Sequence, residues 1–396
     1  MGAVLLTAAS LALAGCGAES KAAGSGTVKI GVLAPITGSL APYGEALQRG
    51  MGVAVELINA DGGIGGKQVE YVLEDDQTDP KTAATQARKL LTQDRVNVLM
   101  GTTSSPTTLA AIPHAESAKV PFIYIAEGEA KTCEKSGTGS RKFVFGNGVT
   151  PEQKMEEFVP YLVNNIGKNV YFIGSDYVFP HFVNDLTSGL VKEAGGSVAG
   201  VDYAPLGTTD FSSYIAKIEK ANPEVIFISV VGSDGVALVK QLNQFGLADK
   251  VKLTGIPTFA AEALAGIAPV AQGVYTVDPY WEGLENEVNQ KFVKAYREKY
   301  PDDAPVSPMA AQGAYGTLLL LKAAAEKSGS VDGPALAEAL PGTTVQSPGG
   351  EITVDDNHVV KTPMQLLQVE GSGYKRVQDL GSISHNGFAG CSSKDL

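Results

Sequence analysis

Three consecutive hydroxyl residues, Thr103, Ser104 and Ser105, stand directly before Pro106. A serine followed by proline is a helix-start signal, with the serine as cap and the proline at the first helical position. The spacing therefore predicts Ser105 as the cap. A terminus of this kind offers backbone N–H groups and hydroxyls together, a neutral receptor for a carboxylate or an amide oxygen. Simple capping accounts for the same residues without a ligand.

Five aromatics, Tyr43, Tyr124, Tyr177, Phe179 and Tyr280, fall at or near the ends of apolar runs. Any one of them reads as core; as a group they could wall a small desolvated pocket, their phenols serving as polar handles. Glu127 and Asp176 are candidates to receive a solute N–H, and each reads equally well as a helix cap or an ion-pair partner. Ala126, Gly232, Asp234 and Thr258 complete the candidate set, because each lies in a loop that follows an apolar run.

Catalytic patterns are missing. The sequence contains no G-x-S-x-G elbow, G-x-x-x-x-G-K-[ST] phosphate loop or G-x-G-x-x-G fingerprint. His114, His181, His358 and His385 stand apart rather than at metal-ligand spacing. No cofactor, metal or enzymatic activity is expected.

The elements that must position these residues alternate in type. Val28–Ala34 is an apolar run bounded by a turn signal, and Leu47, Met51, Ala54 and Ile58 then recur on one helical face. Val69–Leu73, Val96–Met100 and Phe122–Ile125 read as strands, with a helix opened by Asp79-Pro80 between the first two. The rhythm repeats at Val170–Ile173, Val198–Tyr203, Val225–Val231 and Val251–Leu253, with helical patterns near Phe182–Ala194, Phe211–Ala221 and Gly235–Phe245. Strands alternating with helices of this length imply parallel sheets.

The expected architecture is α/β, with two doubly wound parallel-sheet lobes joined by a hinge that the chain crosses several times. The remaining third holds two helical patterns, Glu287–Tyr300 and Ala310–Lys327, and an apparent antiparallel pair, Glu351–Val354 with Met364–Val369. With too little core for a third domain, it should complete the other two. The expected division is 27–147 with 278–346 for lobe one, 148–277 with 347–376 for lobe two, and a tail at 377–396. In open parallel sheets ligands bind beyond the carboxyl ends of the strands, where the candidate residues fall.

At 396 residues the chain has room for two domains. Its 31 basic and 43 acidic residues give a net charge of −12, against the clustered cations that nucleic acid requires. An apolar run, Val4–Ala14, ends in Leu13-Ala14-Gly15-Cys16 and is followed by a small polar stretch, 17–26. It resembles a bacterial lipobox, in which the signal peptide is cut before a cysteine that is then lipidated. That resemblance implies a signal peptide at 1–16, a linker, and an extracytoplasmic body tethered to the outer face of the membrane through lipid alone. With Cys16 lipidated, Cys133 and Cys391 remain and are expected to pair in an oxidising compartment, the alternative being two free thiols.

The segment VKIGVLAPITGSLAPYGEALQRGMGVAVELINADGGIGG, with DDQTDP and GTTSSPTT after it, closely resembles the extracellular solute-binding proteins of ABC importers for branched-chain amino acids and amides. Within that family GSDYVFP (Gly174–Pro180), IYIAEGEAKTC and DNHVVKTPMQ are similar to the urea and short-chain-amide branch. The resemblance implies two lobes that close on a solute and deliver it to a membrane permease. It places Ser104 and Ser105 in the gripping turn, Tyr43 at the cleft edge, and Tyr124 and Tyr177 at strand ends. Where that branch has Tyr-Pro-Thr or Tyr-Pro-Val, this chain has Tyr124-Ile125-Ala126, one hydroxyl fewer. The acid that takes the α-amino group in amino-acid binders has no counterpart in Gly255-Ile256-Pro257-Thr258, unless Asp234 substitutes. A ligand-sensing amide receptor or regulator of the same fold is the alternative reading.

Overall fold

The structure is a computed structural model and describes residues 26–125, 141–301 and 305–384. Cys16, Ala126, Glu127, Cys133 and Cys391 lie outside the described residues, and with them the expected lipidation and disulfide.

Lobe one is built on a parallel sheet of β1 (Thr27–Ala34), β2 (Gln68–Asp75), β3 (Val98–Gly101), β4 (Phe122–Tyr124) and β5 (Val144–Gly146), in the order β2-β1-β3-β4-β5. The expected stripe of α1 (Ala41–Ala60) is buried along its length: Leu47, Met51, Ala54 and Ile58 face the core. α2 (Pro80–Thr92) starts at Asp79, whose carboxylate accepts the Thr82 N–H at 2.7 Å.

Lobe two repeats the plan with β6 (Asn169–Ser175), β7 (Ser197–Ala204), β8 (Val225–Ser229), β9 (Lys252–Thr254) and β10 (Tyr275–Asp278), ordered β7-β6-β8-β9-β10 and parallel. Both sheets therefore reverse direction of growth beside their first strand, between β1 and β3 and between β6 and β8. Such switch points open a crevice at the carboxyl ends of the strands.

α4 (Pro151–Asn165), absent from the helices expected above, opens lobe two, and the sequence carries its start signal. Thr150 and Gln153 form a reciprocal capping box around Pro151. The C-terminal pairing also differs from expectation. β12 (Gly350–Val354) pairs with only the first residues of β13 (Val360–Glu370), whereas Gln365–Gln368 pair with β10. A tail expected from 377 is instead part of β14 (Gly373–Ile383), antiparallel to β13. Ile352, Val354 and Val360 pack in the lobe-one core, while Met364 and Leu366 pack in lobe two.

Candidate functional site

The two switch points face one another across a small cavity. From lobe one it is lined by Leu40 and Tyr43 after β1 and by Thr103, Ser104 and Ser105 after β3. Lobe two contributes Tyr177 and Phe179 after β6, Val231 after β8 and Pro257 after β9, and Met309 closes one side. None of these ten side chains carries a charge.

Four helices begin at this cavity. Leu40, Ser104, Tyr177 and Val231 are the N-caps of α1, α3 (Ser105–Ala118), α5 (Val178–Glu193) and α7 (Gly232–Gln244), and none of the four makes a side-chain capping bond. The positive ends of four helix dipoles thus face whatever enters, although in α1 and α7 the N–H groups of Ala41, Tyr43 and Ser233 are already taken by the carbonyls of Gly38, Leu40 and Ser39. Ser104, rather than Ser105, caps α3, which puts Pro106 at the second helical position. A hydroxyl ladder fixes the turn: Thr102 and Thr108 lie 2.8 Å apart, Ser104 and Thr107 also 2.8 Å, and the Thr108 hydroxyl donates to the Ser104 carbonyl at 2.9 Å. That leaves the Thr103 and Ser105 hydroxyls buried with no partner among the described residues. Unpaired buried hydroxyls are costly, and these two, at the start of an uncapped helix, keep their donors free of protein acceptors among the described residues.

Six of the fourteen candidates, Tyr43, Thr103, Ser104, Ser105, Tyr177 and Phe179, come together here. The Tyr177 and Phe179 rings stack with centroids 6.4 Å apart. Gly232 sits at the rim, against Ser39 of the other lobe.

The others are placed elsewhere. Tyr124 and Phe122 share one face of β4, as residues two apart on a strand must. That face packs against α2 and α3, so Tyr124 belongs to the core rather than to a ligand wall. Tyr280 is buried in the lobe-one core with its phenol donating to Asn289 Oδ1 at 2.9 Å. Thr258 turns its hydroxyl inward to the carbonyls of Val230 (2.7 Å) and Ile228 (3.0 Å). Asp176 is exposed and pairs with His181 at 2.8 Å. Asp234 accepts the Gly207 N–H at 2.7 Å, and burial raises its carboxyl above the usual range. Its carboxylate is spent on a neighbouring loop, not turned to the cavity.

Met309, not among the expected residues, enters from the chain's return to lobe one, far from any strand end, where no local signal marks it. The expected strand ends at Val231, whereas β8 stops at Ser229 and Val231 becomes the cap of α7.

The sequence profile of the periplasmic binding proteins matches residues 27–375. The chain belongs to that family. This binding protein is 25% identical to the leucine-, isoleucine-, valine-, threonine- and alanine-binding protein of Pseudomonas aeruginosa, over 89% of this chain and 92% of that one. It superposes with a TM-score of 0.80 on an ABC-transporter solute-binding protein of Rhodopseudomonas palustris BisB5 in complex with 3,4-dihydroxybenzoic acid, at 26% identity and covering 90% and 97% of the two chains. It also shares its fold with a leucine-binding protein of Thermotoga maritima (TM-score 0.79, 23% identity, 89% and 99% covered). The protein is therefore a solute-binding component of the ABC-transporter type and not an enzyme, and its family is extracytoplasmic.

Proposed function

We propose that the protein captures a small monocarboxylate between its closing lobes and presents it to a membrane permease. The observation that carries this reading is the pair of unpartnered hydroxyls, Thr103 and Ser105, at one of four uncapped helix starts around an uncharged cavity. Helix N-termini attract anions without a basic side chain. The apolar remainder (Leu40, Phe179, Val231, Met309) suits a hydrocarbon or aryl body. A buried ammonium would need an anionic partner, and among the described residues none that lines the cavity supplies one. A simple acid, aromatic like that of the Rhodopseudomonas relative, therefore fits better than the zwitterions bound by the Pseudomonas relative.

A neutral amide or urea is the second reading, favoured by the GSDYVFP resemblance and by the same donors, which serve a carbonyl oxygen as well as a carboxylate. Thermal melts and calorimetry with benzoate, leucine, acetamide and urea separate the cases. At about 100 times its Kd a true solute adds about 2.7 kcal/mol of stability. Benzoate should stabilise most; stabilisation by acetamide or urea alone would transfer the assignment to the amide branch, and by leucine alone to the amino-acid binders.

We infer from the packing that the chain crosses near 148 and 278 and a third time between Val360 and Met364, later than the expected 347. The Leu13–Cys16 segment supports a lipid tether at Cys16, for which mass spectrometry of membrane-extracted protein is the test.

A further inference from the structure

The chain leaves β3 through two consecutive residues in the left-handed region, Gly101 with φ of +104° and Thr102 with φ of +56°. Glycine is needed at the first, since a Cβ there would lie 2.1 Å from the Leu33 carbonyl oxygen. Threonine at the second is the anomaly. A β-branched residue enters that region only at a conformational cost, and such strain persists where the surrounding structure over-determines it. Thr102 stands immediately before the Thr103–Ser105 turn that lines the solute cavity.

Thr102 is held on every side. Its N–H donates to the Leu33 carbonyl at 2.6 Å, and its hydroxyl lies 2.7 Å from the Gly101 carbonyl oxygen and 2.8 Å from the Thr108 hydroxyl. Both threonine side chains are fully buried. The Thr108 hydroxyl in turn lies 2.9 Å from the Ser104 carbonyl oxygen. With one hydrogen each, the hydroxyls run either from Thr102 to Thr108 and on to Ser104, or from Thr108 to Thr102 and on to Gly101. Either order joins the two threonines. Glycine or asparagine would turn the chain here at lower cost. What threonine adds is a hydroxyl that reaches past the three lining residues to α3.

That link controls where the donors of the turn point. The Ser104 carbonyl also accepts the Thr108 N–H at 3.0 Å and the Thr107 hydroxyl at 3.0 Å, so it is pinned towards the body of α3. In a trans peptide the next N–H points the opposite way, which turns that of Ser105 towards the open start of the helix. The Thr103 and Ser105 hydroxyls, without partners among the described residues, hang from the same fixed backbone. A donor already held in its binding direction loses less freedom when a solute arrives.

We propose that Thr102 and Thr108 are positioning residues of the solute site: their hydroxyl pair, formed at the expense of left-handed strain at Thr102, aims the Thr103 and Ser105 donors. This rests on the reading that those donors hold the solute, and adds what directs them.

Calorimetric titration of the whole protein with benzoate and, in parallel, acetamide tests this, because both probes offer an oxygen to the same donors. Thr108→Val keeps the side-chain shape and removes the hydroxyl. It should weaken binding about tenfold, the effect of one misaligned hydrogen bond, whereas Thr108→Ser should stay within about threefold of wild type. A merely structural role would not couple to Ser105. In a Ser105→Ala background Thr108→Val should therefore cost only about threefold or less, since one donor that it misaligns is gone. Should Thr108→Val not fold, Thr102→Gly replaces it in the same cycle: glycine takes φ of +56° without strain, so its loss of affinity reports the missing hydroxyl. Unchanged affinity in Thr108→Val, or the full loss repeated in the Ser105→Ala background, overturns the proposal while the donor reading stands. Wild type that binds acetamide but not benzoate overturns the carboxylate reading alone, and the cycle is then read with acetamide. Ser105→Ala protein that binds either probe as wild type does, or wild type that binds neither, overturns both.

Discussion

Gly232 of lobe two lies against the Ser39 carbonyl oxygen of lobe one, so close that a Cβ would sit 1.9 Å from it. The neighbouring Ser233 N–H donates to that same oxygen at 3.3 Å. Glycine is required twice over, because the backbone there also has φ of +57°, the left-handed region. This contact joins the first turn of α7 to the loop before α1 and closes the rim of the solute cavity. Gly232→Ala should hold the lobes apart. Solute affinity should then fall about tenfold or more, since a closed state made less favourable by 1.4 kcal/mol costs a factor of ten. Calorimetry checks this; affinity within twofold of wild type would mean that the contact is not part of the liganded state.

The hydroxyls of Thr103 and Ser105 should trade stability for binding. Ser105→Ala and Thr103→Val each remove a donor that the protein leaves without a partner. Each should weaken solute binding by about 1–2 kcal/mol and leave the melting temperature of solute-free protein unchanged or slightly higher. A drop in that melting temperature with unchanged affinity would show that the hydroxyls serve the fold.

How much of this was legible beforehand follows from the physics of each residue. Strand ends are local signals, so the loops after β1, β3, β6 and β8 were found, and with them Tyr43, Thr103–Ser105, Tyr177 and Phe179. Whether an aromatic near a strand end faces the cleft or the core depends on strand parity and on the helices stacked behind. Tyr124 and Tyr280 turned to the core for that reason. Met309 was invisible because its place depends on contacts more than a hundred residues away, such as Asn147 with nearby Gln312. The pairing of Gln365–Gln368 with β10 was missed on the same grounds, a long-range register that no local pattern carries.

Asp234 offers a sharp discrimination between a structural and a solute-binding carboxylate. Its oxygen accepts the Gly207 N–H at 2.7 Å within lobe two. Asp234→Ala strands that donor and should cost about 1–3 kcal/mol of stability, with solute affinity kept within about threefold. Melting curves and titrations on the same preparation decide the matter. Lost affinity with an unchanged melting temperature would return Asp234 to the solute site.

Two buried carboxyls, Glu152 and Asp76, contribute to the pH dependence of stability. Burial pushes Glu152, in the first turn of α4, up to about 7 from an ordinary 4.5, and pushes Asp76, after β2, up to about 6 from 3.8. Each has one oxygen without a partner among the described residues. A group whose folded pKa is raised holds its proton in the folded state after the unfolded chain has released it. The contribution of each group to stability therefore falls as pH rises through the interval between its two values, about 3.8 to 6 for Asp76 and 4.5 to 7 for Glu152. Glu152→Gln removes the larger of these penalties. At pH 8 it should gain stability on the order of 1–3 kcal/mol, and at pH 4, where both states are protonated, almost nothing. Thermal melts of wild type and variant from pH 4 to 8 read this directly: the curves should converge in acid and separate as pH rises. Parallel curves across the range would show that the Glu152 carboxyl ionises as it does in the unfolded chain.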